Sequence, residues 1–295
     1  MNSNFIIDKE KEFIDRISDK YNYDSNIRHL LYLMIPAFII KYGINREKLV
    51  LNVFENIRII TSNKKDERVK AYYSSRPICI DGNYKTEKTM VIINYEKISL
   101  IDLLDNLVHE FNHAINSYLN EIKVTNKYLY IRTGLTNIIY RKEDLSFIKK
   151  DNSFVLEEII NTKQTSDIIN IIKNFDSSNN TIYAINNETD NNYNSNSYYL
   201  QSYVCKEILN NKTFISTLEN LRITGEVDIP SWFDSIVGAD GSYKRFIDLL
   251  VEIYNLELEY SKRRFFKKRI LNKIRDTSKN ILMMVNKFNN SVNFK

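Results

Sequence analysis

The feature that most constrains this chain is a pair of histidines, His109 and His113, set four residues apart in an apolar helical pattern. Residues four apart share one face of an α-helix, so the two imidazoles can point at one metal ion. Zinc accepts neutral imidazole nitrogen as a ligand. Glu110 completes an H-E-x-x-H motif and lies about 100° further around the helix. There its carboxylate can take a proton from a metal-bound water without itself being a ligand.

The helix that carries this motif can be recognised from its start and its two faces. Ser99 is a suitable N-cap residue, and Asp102 stands three positions later, as in a shortened capping box. The apolar face, expected to meet the core, consists of Leu100, Leu104, Leu107, Val108, Phe111, Ile115 and Tyr118. The polar face consists of Asp102, Asn106, His109, His113 and Asn116. A solvated face would normally carry Lys and Glu, so this face is expected to line a wet cleft.

A third metal ligand has to come from elsewhere, because a catalytic zinc usually has three protein ligands and one open position. No histidine follows His113, and Asn116 and Leu119 stand where the metzincin pattern needs Gly and His, which excludes that class. The remaining histidine, His29, lies in a predicted helix, where a lone histidine is more often structural. The third ligand is therefore expected to be a carboxylate. One rival ligand is Asp240, because residues 238–243 around it faintly resemble the aspzincin pattern. Its flanking glycines, however, favour a surface turn.

Two adjacent acids, Glu157 and Glu158, are the best carboxylates, because they lie among apolar residues of a helix predicted to begin at Ser153. Burying both is costly unless one of them binds something. We choose Glu158 as the ligand and keep Glu157 as the alternative, since Thr162 follows Glu158 by four residues on the same face and can support it. Glu157 is then expected to face solvent or to support the ligands.

These segments resemble the gluzincin-type zincin metallopeptidases, which carry H-E-x-x-H on one helix and a glutamate on a following helix. The second matching segment is Leu156–Thr162, although it ends in Thr where the family often has Asp. The resemblance covers roughly the stretch from the strand before the motif helix to the end of the glutamate helix. It implies one Zn²⁺ held by His109, His113 and Glu158, with Glu110 as the general base, in a zincin-like fold.

The periodicity along the chain predicts an α+β fold, with a small mixed or antiparallel sheet packed on the motif helix and a mainly helical C-terminal lobe after it. Helices are predicted over residues 9–21, 26–40 and 153–175, and over most of the chain beyond 198. Strands are predicted over residues 53–61, 69–74, 77–80 and 90–95, and a hairpin over 128–140. The order of strand, short loop and metal helix is that of a zincin, in which an edge strand can bind an extended peptide.

Three parts of the chain are expected from its length and local composition. Residues 1–176 should contain the N-terminal helices, the sheet and the zinc-binding core. Residues 177–197 are rich in Asn and Ser and read as a polar connecting loop, and residues 198–295 as a helical lobe. Six Gly and three Pro among 295 residues favour a helix-dominated chain with few tight turns.

The basic character of the chain is concentrated in residues 262–275. The formal net charge is +5, but this segment carries eight Lys and Arg and no acid, so the remainder is net negative. The preferred interpretation is a solvated helix face with no nucleic-acid partner. The alternative is an amphipathic helix that binds an anionic membrane or nucleic acid.

The location predicted for the protein is cytoplasmic. The N-terminus lacks a basic region followed by an apolar one, so no signal peptide is visible, although leaderless export stays open. Cys79 and Cys205 do not make a disulfide framework. The most apolar run, residues 30–40, is about half the length of a membrane span, so no transmembrane segment is expected.

The function predicted is zinc-dependent hydrolysis of peptide bonds in a peptide or protein substrate, with Glu110 activating a zinc-bound water. A further donor should stabilise the oxyanion, and the candidates are Tyr198, Tyr199, Tyr203 and Arg132. The alternative is a zinc-binding regulatory or effector protein that acts on a single partner or lacks general peptidase activity. Such a protein could associate with membrane or nucleic acid through the basic segment.

Overall fold

The structure is a computed structural model that describes residues 8–63, 70–117, 122–175, 180–189, 208, 210–224, 228–262 and 267–293. The chain divides into two compact units. Unit 1 comprises Met1–Tyr118 and Asn161–Ser197, and unit 2 comprises Leu119–Ile160 and Tyr198–Lys295. This division differs from the predicted one, which kept residues 1–176 together. The reason is that residues 123–150 form a separate sheet and do not extend the first one.

Unit 1 begins with three helices: α1 (Asp8–Tyr21), α2 (Ser25–Tyr42) and α3 (Glu47–Asn56). The strand predicted over residues 53–61 was wrong in its first half, because residues 53–56 end α3 and the strand starts only at Arg58. Val53 and Phe54 favour a strand by residue type. Here they are buried on a helix instead, and the Phe54 ring stacks on Phe111 with centroids 4.0 Å apart. Tertiary packing has overridden local propensity at this point.

The sheet of unit 1 is mixed, as predicted. Its strands are β1 (Arg58–Ser62), β2 (Ala71–Ile80) and β3 (Asn83–Ile93), in the order β1-β3-β2. β1 pairs with β3 in parallel, and β2 pairs with β3 as an antiparallel hairpin through a turn at Asp81 and Gly82. The two short strands predicted over 69–74 and 77–80 form one edge strand, β2, which tolerates Pro77 because an edge needs fewer ladder donors.

The motif helix follows this sheet through a short connection, again as predicted. A 3₁₀ turn over Tyr95–Lys97 leads into α4 (Leu100–Ile115). Ser99 is the N-cap: its hydroxyl accepts from the Asp102 amide at 3.1 Å and donates to the Asp102 carboxylate at 3.0 Å. β2 and β3 pack against α4, so the sheet does lie on the motif helix.

Unit 2 contains an antiparallel four-stranded sheet, which is made of the remaining strands of the described chain. Its strands are β4 (Lys123–Val124), β5 (Tyr128–Thr133), β6 (Thr136–Arg141) and β7 (Phe147–Lys150), in that spatial order. The predicted hairpin is confirmed as β5 and β6, joined by a tight turn at Gly134, which has φ +58°.

One helix, α5 (Phe154–Lys173), is shared by the two units, since the division falls between Ile160 and Asn161. It confirms the helix predicted over residues 153–175. After it, α6 (Asn180–Glu188) belongs to unit 1 and lies inside the segment expected to be a connecting loop. Its buried residues, Ile182 and Ile185, give it an apolar side that the surrounding Asn-rich composition concealed.

The C-terminal part of unit 2 is helical, as expected: α7 (Lys212–Thr224), α8 (Ile229–Val237), α9 (Ser242–Lys262) and α10 (Lys267–Asn293). Most of the predicted helical stretch directly after residue 198 lies outside the described residues. These helices enclose an aromatic core in which Phe214, Phe233, Phe246 and Phe288 contact one another. The coarse prediction of a mixed α+β protein is therefore confirmed.

The helices were also predicted to include no membrane span and to carry a basic segment over residues 262–275. Within the described ranges, no single helix has the length and apolar character to cross a membrane, although α2 and the helical residues 44–56 pass that test together as a pair bent by 113°. At the start of α10 the side chains of Lys267, Lys268 and Arg269 are exposed while Ile270 is buried. This arrangement fits the solvated helix face preferred above.

Candidate metal centre

Three buried side chains converge at the motif. His109, His113 and Glu158 each offer one ligand atom, and these atoms all lie within 4.8 Å of one another. Within the residues that the structure describes, this is the group of His, Cys, Asp and Glu that could hold a metal ion. The exposed fractions of the three residues are 5%, 8% and 8%. The structure thus brings together the three residues that the sequence selected, with Glu158 rather than Glu157 as the acid.

The backbone of α4 is held where the two histidines lie. The Asn161 side chain on α5 donates from Nδ2 to the carbonyl of His109 at 2.9 Å. The Ser117 hydroxyl donates to the carbonyl of His113. The two imidazole rings stand nearly perpendicular, at 80°, with centroids 4.9 Å apart. Rings four residues apart on one helix face therefore lie close enough to share an ion.

Glu110 is held from the side of the sheet. Its Oε2 accepts the backbone amide of Tyr73, on the edge strand β2, at 2.6 Å. A bond from a neutral amide to a carboxylate is stronger than one between neutral groups, so it restricts the orientation of Glu110. Glu110 does not belong to the three-residue group, which is consistent with a role other than that of a ligand.

The polar face of α4 is exposed at Asp102 but buried from Asn106 onward, contrary to the expectation of a wet cleft. Asn106, His109, His113 and Asn116 are all at most 8% exposed. The face instead meets polar side chains of α2 and α5. The Tyr42 hydroxyl donates to Asn112 Oδ1 at 2.9 Å.

The contacts to α5 complete this buried network within unit 1. Asn112 Nδ2 donates to Thr165 Oγ1 at 3.3 Å, and Asn116 Nδ2 donates to Gln164 Oε1 at 3.3 Å. Sequence reasoning missed this, although a signal was present. Asn161, Gln164 and Thr165 recur on α5 at the three- and four-residue spacing of one helix face, which matches the amide-rich face of α4.

Glu157, the alternative ligand, has a different partner. It is 2% exposed and forms a buried ion pair with Arg222 of α7, and its Oε2 also accepts the Leu135 amide at 2.8 Å. Of the two roles expected for Glu157, exposure to solvent was therefore wrong, and support of the ligands stays a prediction. Sequence reasoning missed Arg222, whose signal is a single cation inside the apolar pattern of α7.

The support predicted from Thr162 is not formed. The Thr162 hydroxyl is buried and has no hydrogen-bond partner among the described residues. Other groups orient the site instead. The Asn161 side chain contacts the carbonyl of His109, and the ion pair of Glu157 holds the start of α5 in place.

Of the predicted oxyanion donors, the structure describes only Arg132. Tyr198, Tyr199 and Tyr203 lie outside the described residues, so their role stays a prediction. Arg132, on β5, donates from Nη2 to the carbonyls of Leu221 and Arg222 at 3.4 and 3.2 Å. Burial lowers the pKa of Arg132, while the charge of Glu157 opposes this with a smaller effect.

Two residues considered from the sequence, His29 and Asp240, lie at the surface, whereas a lysine that was not considered is partly buried. His29 on α2 is exposed, and so is Asp240 in the turn after α8, which confirms the surface turn preferred for it. Lys88, on β3, was not singled out from sequence. Its Nζ donates to the Ser117 carbonyl at 3.4 Å, and burial lowers the pKa of Lys88 to about 8.

No protein-family model, curated protein or solved structure matches this chain.

Proposed function

We propose that this chain is a zinc-dependent metallopeptidase of the gluzincin type, which hydrolyses peptide bonds in a peptide or protein substrate. The observation that carries the proposal is the convergence of His109, His113 and Glu158 within 4.8 Å, beside the buried carboxylate of Glu110. Two imidazoles and a carboxylate form the donor set of a catalytic zinc site that keeps one position open.

The donor set also supports zinc over the commoner hard cations. Mg²⁺ and Ca²⁺ prefer oxygen ligands, whereas two of the three donors here are imidazole nitrogens. His109 and His113 would hold the ion from α4, and Glu158 would hold it from α5. When bound there, zinc supplies Lewis-acid chemistry that makes water more acidic and polarises the scissile carbonyl.

Glu110 is proposed as the general base. Its carboxylate takes a proton from the attacking water, the water oxygen forms the new bond to the carbonyl carbon, and the C–N bond breaks. The same proton then passes to the leaving amine, so the carboxylate is regenerated. The Tyr73 amide, which bonds Glu110 Oε2, would keep the carboxylate oriented for both transfers. Tyr199, Tyr203 and Arg132 remain candidates for stabilising the oxyanion.

The substrate is proposed to bind in extended form. β2 is an edge strand of the described sheet, and its Tyr73 amide meets the catalytic carboxylate. A peptide that added to such an edge through main-chain hydrogen bonds would be brought to Glu110. We keep the proposal of a cytoplasmic location, where the free, exposed Cys79 would stay reduced.

The test combines metal content with cleavage. The purified parent protein should contain one zinc per chain, and His113→Ala and Glu158→Ala should each lose most of it. Glu110→Gln should keep the zinc yet hydrolyse a library of unstructured peptides about 10²-fold to 10⁴-fold more slowly than the parent. A Glu110→Gln protein with undiminished hydrolysis contradicts the base assignment, and a zinc-free parent contradicts the whole proposal.

A second candidate function is a zinc-binding effector that acts on one partner only. The observation that favours it is the burial of all four site residues, none of which is more than 8% exposed. A buried site admits few substrates. Stoichiometric zinc without cleavage of any generic peptide would select this function over the first.

A further inference from the structure

We infer that the buried ion pair between Glu157 and Arg222 positions Glu158 as a metal ligand. The inference rests on the proposed zinc site and adds residues to it that touch neither the metal nor the substrate. It begins from the adjacency of the two acids: Glu157 and Glu158 are consecutive on α5, and both are buried. Whatever fixes the carboxylate of the first also fixes the backbone from which the second projects.

The ion pair holds Glu157 at two points. Arg222 Nε donates to Glu157 Oε2 at 2.9 Å, and Arg222 Nη2 donates to Glu157 Oε1. The Arg222 side chain has no exposed surface and that of Glu157 is 3% exposed. Two parallel bonds from a planar guanidinium define the carboxylate plane, which a single Lys contact would not do.

The β5–β6 turn holds the same carboxylate from another direction. The Leu135 amide donates to Glu157 Oε2 at 2.8 Å. The preceding Gly134 lies so close that a Cβ there would come within 2.1 Å of that oxygen. Glu157 therefore accepts three hydrogen bonds from two different elements, and its rotation about the helix axis is fixed.

The surroundings indicate that the ion pair serves position more than stability. Val155, Leu156, Ile159 and Ile160 on the same turns of α5 all join the apolar core of unit 2. An apolar pair of similar volume is often as stable as a buried ion pair, because it avoids the desolvation of two charges. Apolar packing lacks direction, however, whereas the ion pair sets the angle of the α5 turn that carries Glu158.

The test uses a variant that removes both charges and keeps the volume. Glu157→Gln with Arg222→Met retains an acceptor for the Leu135 amide and removes the two charges of the ion pair together. The matched control is Lys244→Met with Asp248→Asn, which removes an exposed ion pair of α9 in the same unit. Zinc affinity is measured by competition with a chromophoric chelator, and ligand geometry by the visible spectrum of the Co²⁺-loaded protein.

The double variant is expected to fold with zinc affinity about tenfold to hundredfold weaker than the parent and with altered Co²⁺ bands, while the control keeps both parent values. A folded double variant with parental affinity and spectrum overturns the inference. Should it fail to fold, Arg222→Lys decides: weaker zinc binding supports the inference, and parental binding overturns it. A parent that binds no zinc overturns the proposed function itself, which this design reads separately.

Discussion

At the scale of single residues, Gly134 shows how closely the turn between β5 and β6 fits the acid beneath it. Its φ of +58° is one that L side chains rarely adopt, and the space for a side chain is already taken by the Glu157 carboxylate. Only glycine satisfies both conditions at once, so the turn and the acid constrain each other.

Gly134→Ala is therefore expected to destabilise the protein by about 3 kcal/mol or more. The left-handed backbone contributes about 1–2 kcal/mol, and displacement of the paired Glu157 contributes the rest. Gly82→Ala is the control, because Gly82 has φ +77° but open space around it, so only the backbone cost of about 1–2 kcal/mol should appear. Denaturant unfolding measures both, and equal losses would show that the contact with Glu157 is unimportant.

Prediction at the level of residues succeeded where the spacing within a motif alone determines how its side chains are arranged. The spacing of His109 and His113 fixes their common face on any helix, so it could be read without a fold. Arg222 and Lys88 could not be found in this way, because their importance comes from burial and from partners 65 and 29 residues away in sequence. A lone cation in an apolar pattern is a signal only once its partner is known.

At the scale of elements, α4 and α5 are joined by side-chain amides. Asn112 stands at the centre of this interface: it accepts from Tyr42 and donates to Thr165, and it has no exposed surface. These directional hydrogen bonds restrict the sliding of α4 along α5 more than apolar packing alone would.

Asn112→Ala is expected to lower the free energy of unfolding by about 1–3 kcal/mol, because the buried Tyr42 and Thr165 hydroxyls each lose a partner. Asn56→Ala, at an exposed amide on α3, should change it by less than about 0.5 kcal/mol. Thermal or urea unfolding distinguishes the two variants. Comparable stability of both would mean that water replaces the lost amide without cost.

Helices were easier to predict than the first strand because their periodicity persists over many residues. α5 agrees with prediction to within two residues at each end, whereas residues 53–56 were misassigned to a strand. The packing of Phe54 against Phe111, 57 positions away by number, decides that segment, and no local window contains it. Similarly, the apolar side of α6 was hidden among asparagines.

At the scale of the whole molecule, a metal ion that binds only the folded chain must raise its stability. The proposed site would draw its ligands from two helices, so an unfolded chain does not present them together. With free zinc at about 100 times the dissociation constant, the gain is about 2.7 kcal/mol.

Adding a chelator to the parent protein should therefore lower its melting temperature by several degrees, and zinc should restore it. His113→Ala should melt at a temperature that neither reagent changes. Differential scanning calorimetry measures the shift, and a variant that responds to zinc as strongly as the parent would place the ion elsewhere.

The interleaving of the two units also bears on how such a chain can arise. Unit 1 takes residues 1–118 and 161–197, and unit 2 takes the stretches between and after them, so the backbone passes from one to the other three times. A single recombination event transfers one continuous stretch of gene, and any stretch that encodes all of one unit also encodes part of the other. Neither unit could have been gained or lost alone by such an exchange, so the two are expected to have been inherited together.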